Sequence, residues 1–147
     1  MQYQVVTATS SGTTQIPNDD TIPQSGEGDE YLTKAITPKA TTNILCIEAI
    51  LVLGFNASVS VEHQTVALFQ DATANALAAT ATWFPTSGAM LTMSLRHLML
   101  AGTTSSTTFK VRSGNHNAGT TRLNGTVGAR RFGGVASSTL KITEYKV

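Results

Sequence analysis

Asn43-Ile44-Leu45-Cys46-Ile47-Glu48-Ala49-Ile50-Leu51-Val52-Leu53 is the stretch on which the fold turns. Its odd positions, Leu45 to Leu53, are all apolar, and its even positions, Ile44 to Val52, are apolar except for Glu48. In an extended chain both faces would therefore be greasy. One face enters the domain's own core and the other needs a cover. A helix starting at Thr42 or Asn43 is the competing reading, because periodicity does not separate a buried helix from a doubly buried strand in so short a run. The Ile and Val content and the abrupt Gly54-Phe55-Asn56 stop favour the strand.

Outward from this stretch the chain reads as short strands and turns. Towards the N-terminus, Tyr31 to Thr37 is a strand stopped by Pro38, and Tyr3 to Thr9 is a first strand ended by Ser10-Ser11-Gly12. Between them, Gln15 to Glu30 holds Pro17, Pro23, Gly26, Gly28 and the carboxylates Asp19, Asp20, Glu27, Asp29 and Glu30. Proline cannot donate to a ladder, so this segment is an ordered surface loop or an edge arm. Residues 1–30 thus read as a strand plus a Pro/Asp-rich arm.

Towards the C-terminus, Val59 to Gln70 is a strand with an irregularity near His63 to Thr65, and Ala76 to Phe84 is its hairpin partner. One helix over Ala72 to Ala81 is an alternative, since Ala favours helix, but Thr73, Thr80 and Thr82 weaken it. Met90 to Ala101 alternates, with Leu91, Met93, Leu95, His97 and Met99 on one face and Thr92, Ser94 and Arg96 on the other. Thr107 to Arg112 is a strand and Thr120 to Leu123 a short piece before the hairpin-type dipeptide Asn124-Gly125. After the bend at Phe132-Gly133-Gly134, Ser138 to Lys146 is the last strand. About eight strands without a convincing long helix point to a single all-β domain over 1–147, an antiparallel sandwich or jelly roll.

Composition agrees with that class. The 147 residues suit one domain. Thr and Ser number 24 and 12, and β-branched Thr suits a pleated, half-buried surface. Charged residues are 13% and the net charge is +1, which argues against a nucleic-acid binder with its basic stripe. Cys46 is the single cysteine, so neither an intrachain disulfide nor a Cys-based zinc site can form. The start of the sequence lacks a basic and apolar leader, which suggests synthesis in a cytoplasm. The longest apolar run, Ile44 to Phe55, is too short and interrupted to span a bilayer, so membrane insertion is not expected.

No catalytic constellation is marked. His63, His97 and His116 have no metal-binding spacing, and a strand would point Glu62 and His63 to opposite faces. Cys46 lies in an apolar run where a thiolate is costly. The acidic loop from Asp19 to Glu30 offers oxygen ligands of the kind calcium takes, but in no known loop spacing, so it reads as solvated. Gly125-Thr126-Val127-Gly128 with Arg130-Arg131 reads as turn chemistry beside surface charge rather than an anion cradle. The expectation is a protein that is not an enzyme and carries no cofactor or metal. Trp83 reads first as a packing residue. With Asn115 and Asn117 it also forms a candidate contact for a glycan, since aromatic faces and amides suit sugars.

Several segments resemble a module recurrent in structural proteins of tailed bacteriophages, at the ends of tail fibres and spikes. They are Gly12-Thr13-Thr14-Gln15-Ile16-Pro17-Asn18-Asp19-Asp20-Thr21-Ile22-Pro23-Gln24, Glu27-Gly28-Asp29-Glu30-Tyr31-Leu32, the run from Ala67 to Leu77, the run from Ala101 to Phe109, and Phe132-Gly133-Gly134-Val135. These lie in turns and strand edges, so they imply a fold and a setting. The resemblance implies a jelly roll similar to tumour-necrosis-factor-like heads, a homotrimer on the virion exterior, made in the cytoplasm of a host bacterium. A three-fold contact would then bury the second apolar face of the deciding strand, through Ile44, Cys46, Ile50 and Val52, together with the Leu91, Met93, Leu95, His97 and Met99 face.

The module starts almost at Met1, with no stretch that reads as a fibre shaft. The first expectation is therefore a trimeric capsid-decorating protein that clamps the major capsid protein or another virion protein, with residues 1–30 as the arm to the shell or a neighbouring subunit. The alternative is a tail-fibre or tail-spike head binding a host surface glycan. A hydrolase of surface polysaccharide is the least favoured, for want of an acid pair at useful spacing.

Overall fold

A computed structural model describes residues 1–56 and 62–147. The chain runs through β1 (Gln2–Val6), β2 (Ser10–Gly12), β3 (Asp29–Ile36), β4 (Ile44–Asn56), β5 (Glu62–Gln70), β6 (Ala78–Phe84), β7 (Met90–Leu100) and β8 (Thr107–Asn115). It continues through β9 (Thr120–Leu123), β10 (Gly125–Thr126), β11 (Ala129–Arg130), a 3₁₀ turn at Phe132–Gly134 and β12 (Ser138–Tyr145). Among the described residues there is no α-helix.

The deciding stretch is a strand, and it is the centre of the first sheet. β4 pairs along its whole length with β7, and on its other side with β12 and then β9, so the sheet reads β7-β4-β12-β1 with β9 and β2 beside the far end of β4. The second sheet reads β3-β8-β5-β6. All pairings are antiparallel. The sheets stack so that β1 lies over β3 and β7 beside β6. β1 and β2, β5 and β6, and β9 and β12 with the β10–β11 hairpin between them are joined within one sheet, and every connection from β2 to β5 and from β6 to β9 crosses between sheets, the winding of a jelly roll.

The side-chain period of two explains the core. The odd residues of β4, from Leu45 to Phe55, are buried against Val66 and Leu68 of β5, Phe109 and Val111 of β8, and Leu140 and Ile142 of β12. Phe55 meets Phe84 edge-on at 5.9 Å between ring centres. Full burial of such side chains stabilises by roughly 1.5–3 kcal/mol each, offsetting the entropy of ordering the strands. Gly54 is a packing requirement, because a Cβ there would lie 2.0 Å from the Gly125 carbonyl oxygen. The strand therefore runs on through Gly54-Phe55-Asn56 instead of stopping there.

Other expectations shift in detail. Ser10-Ser11-Gly12 is the short strand β2 paired with β9, not a turn. Residues 78–84 of the Ala-rich stretch form strand, not helix. Within its described part β5 keeps an unbroken register with β6 through His63 to Thr65, so the irregularity expected there is absent, and the residues from Val59 to Val61 lie outside the described residues. The register shift falls in β3, between Glu30 and Leu32. The tight turn of the C-terminal hairpin is at Val127 and Gly128, both with positive φ (45° and 77°), while Asn124 (φ 54°) turns the chain from β9 into β10.

The arm from residue 13 to 28 lies on its own domain. Ile16 is fully buried over Ala67 and Phe69, the outward side chains of β5, and its N–H donates to the Asn115 carbonyl at 3.0 Å. Arg112 donates to the carbonyls of Glu27 and Gly28, at 2.8 and 2.7 Å. The arm thus covers the outer side of β5 and part of β8, while Ala79, Ala81 and Trp83 on the outer side of β6 stay exposed.

Candidate functional site

The outer face of the first sheet has no such cover. Even-numbered β4 side chains point outward, and the register sets their neighbours. Ile44 lies opposite Leu100 and Tyr145, Cys46 opposite Leu98 and Thr143, and Ile50 opposite Ser94 and Thr139. On the outermost strand, Tyr3 and Val5 stand opposite Lys141 and Thr139. Ile50, Leu98, Leu100, Tyr145, Tyr3 and Val5 are each about half exposed or more, between 47% and 61%. Across the middle runs one charged row, Lys141–Glu48–Arg96. Lys141 Nζ meets Glu48 Oε2 at 2.9 Å, and that bond holds Glu48 below the usual carboxylate range and Lys141 above the usual amine. Arg96 Nε donates to Cys46 Sγ at 3.4 Å, which leaves the thiol buried beneath the row. A largely apolar sheet face crossed by a single charged row, in which Glu48 offsets one of the two cations, is suited to a contact that excludes water.

Four of the nine expected interface residues lie on this face. Ile44, Cys46, Ile50 and Val52 point outward as read. Leu91, Met93, Leu95, His97 and Met99 do not: they point into the sandwich, with Met93 and Leu95 buried in the core. The reason is the pairing of β7 with β4, in which Ala49 faces Leu95 and Leu51 faces Met93, and directly opposed residues share a face. The β7 residues on the outer face are Leu98 and Leu100, which share parity with Thr92, Ser94 and Arg96. That parity was the available signal.

The candidate glycan residues also separate. Asn115 is buried, its Oδ1 accepting from Thr121 Oγ1 at 3.2 Å, and is closed to any ligand. Trp83 is about half exposed, and its ring packs perpendicular to that of His63 with centres 4.1 Å apart. Asn117 is exposed next to buried Glu62, to which its backbone N–H donates at 3.1 Å. The acidic loop spends its carboxylates on turn geometry: Asp29 accepts from Thr14, Glu27 from the Gln24 N–H, and Asp19 from Thr21. Among the described residues no three His, Cys, Asp or Glu side chains converge as metal ligands, and no helix is long and apolar enough to cross a membrane.

No family model matches the sequence, and no curated protein does. Among solved structures, the chain is similar to the infectious bursal disease virus VP2 subviral particle, at 14% identity and a TM-score of 0.36, over 99% of this chain and 37% of that one. It is likewise similar to the structure of the infectious bursal disease virus Gx strain, at 16% identity and a TM-score of 0.35, over 100% of this chain and 38% of that one. The chain thus spans under two fifths of the length of these neighbours. Likeness this loose adds nothing to the strand order, on which the fold rests.

Proposed function

We propose that the chain is a bacteriophage virion structural protein, a homotrimer that decorates and stabilises the capsid exterior. The observation that carries this reading is the contrast between the two sheets: the chain's own arm lies over the middle of one outer face, while the other has no such cover and presents Ile50, Leu98, Leu100 and Tyr145 to solvent. A face of that kind is stabilised by association, at about 25 cal/mol per Å² of apolar surface removed from water. The three-fold count comes from the resemblance of the turn and edge segments to trimeric phage heads.

The action of such a protein is mechanical. Copies joined through the first sheet would bridge neighbouring shell subunits and share the outward load of packaged DNA. Sedimentation equilibrium on the purified protein should give three copies per particle. In purified virions, quantitative mass spectrometry should count hundreds of copies. A well-behaved single-copy species at about 10 μM, a concentration that micromolar association would populate, overturns the reading. A handful of copies per virion moves the protein to a tail-fibre head, the second reading, which the exposed Trp83 favours.

A further inference from the structure

We infer that the outer side of β6 is a binding groove for a neutral oligosaccharide, with Trp83 as its stacking platform. Ala79, Ala81 and Trp83 alternate onto the outer face of β6 and lie opposite Ala67, Thr65 and His63 of β5. The arm segment from Pro17 to Pro23 forms the other wall. Between them lies a groove of about 190 Å³ floored by Thr65, Ala79 and Ala81, which continues into a trough of about 410 Å³ between Asp19–Pro23 and Ala76–Ala79. From Leu77 to Trp83 the strand covers about 20 Å at roughly 3.3 Å per residue, room for several sugar rings in a row. The inference is independent of the trimer.

Chemistry selects the occupant. The small side chains on the floor leave the groove open, and two residues beyond Ala81 on the same face of β6, outside the groove's own lining, an indole stands perpendicular to the His63 ring, 4.1 Å away. A half-exposed indole offers an apolar face and an N–H donor, the combination that the C–H face and hydroxyls of a pyranose require. On the arm side, the His116 ring is fixed by accepting the Asn18 N–H at Nδ1, 3.0 Å, and the His116 carbonyl accepts from Gln15 Nε2 at 2.8 Å. Those bonds hold the arm wall in place. Among the described residues, the side-chain amides of Asn18 and Asn117 and the Trp83 indole N–H make no hydrogen bond. They are polar groups available to sugar hydroxyls. Only Asp19 and Asp20 bring formal charge to the two walls, so an acidic glycan is repelled and a neutral one is not.

Trp83 is the only tryptophan, so its emission reports this groove alone. The test titrates the folded protein with tetrasaccharides of glucose, mannose, galactose and N-acetylglucosamine, and with tetragalacturonate as the acidic probe. At least one neutral tetrasaccharide should give a saturable change in emission, and tetragalacturonate none. Ala81→Leu fills the exposed floor and keeps the reporter, and it should weaken binding about tenfold or more. Trp83→Ala, read by calorimetry, should abolish binding while circular dichroism stays unchanged. Silence with all four neutral sugars, equal binding of the acidic probe, or affinity unaltered in both variants overturns the proposal. The last of these results would place sugar binding elsewhere on the molecule.

Discussion

Asn124 shows how much one side chain can hold. It sits at φ 54°, where most residues are strained, and its Nδ2 donates to the carbonyls of Val6 and Ala8 at 2.8 and 3.0 Å. Its Oδ1 accepts from Ser138 Oγ at 2.8 Å, and that hydroxyl in turn accepts the Val52 N–H at 2.9 Å. Asn124→Ala strands these groups and keeps the backbone strain, so it should cost about 2–4 kcal/mol in denaturant unfolding. Asn124→Gly relieves the strain alone and should fall about 1 kcal/mol short of that loss. In the sequence Asn124-Gly125 announces a turn, which is present. That the amide ties three strands together was invisible, because the carbonyls its Nδ2 binds lie more than a hundred residues away. Glu144 carries a pH signature of the same local kind. It accepts from Asn43 Nδ2 and from the Lys39 N–H, both at 2.7 Å, and the Asn43 bond above all holds its carboxyl below the usual range. A carboxyl with a depressed folded-state pKa contributes stability above its unfolded pKa and loses it as pH falls through the folded value. Glu144→Gln should therefore melt below the wild type at pH 7 and lose less on acidification to pH 3, as read by scanning calorimetry.

At the scale of elements, β7 is where sequence and structure part. Its alternation from Met90 to Leu100 was legible, because a period of two needs no partner to be seen. Which face turns inward was not, because both faces carry large apolar side chains and only the pairing of Ala49 with Leu95 decides it. The two faces predict opposite costs. Leu95→Ala empties a core position and should destabilise by about 2–5 kcal/mol, whereas Leu98→Ala should stay within about 0.5 kcal/mol of wild type in the dissociated chain. Equal losses from the two variants, compared by chemical denaturation, would reverse the face assignment. The arm gives a parallel case. Its prolines and carboxylates marked an irregular segment, but nothing local showed that Ile16 seals Ala67 and Phe69. Ile16→Ala should cost about 2–4 kcal/mol and speed proteolysis between residues 13 and 28. The groove on β6 was half legible for the same reason: Trp83 stood out by type, while the wall from Pro17 to Pro23 comes from a distant part of the chain.

For the whole molecule, the unequal outer faces make assembly and folding separable. The sandwich has its own core, and the arm covers the apolar outer side of β5, so a single chain has what it needs to stay folded. The first sheet's outer face then acts in association alone, where Leu98 and Leu100 project next to the Lys141–Glu48–Arg96 row. Two carboxylates placed there would be solvated in a free chain and desolvated in an assembled one, a situation that costs several kcal/mol per charge. The double variant Leu98→Asp and Leu100→Asp should accordingly sediment as one copy at concentrations where the wild type sediments as three, with an unchanged circular dichroism spectrum. The same substitutions made on the groove side, at Ala79 and Ala81, should leave the copy number alone. If those variants dissociate the particle and the β7 pair does not, the contact runs through the other sheet, and the apolar face of the first must be covered by the shell itself.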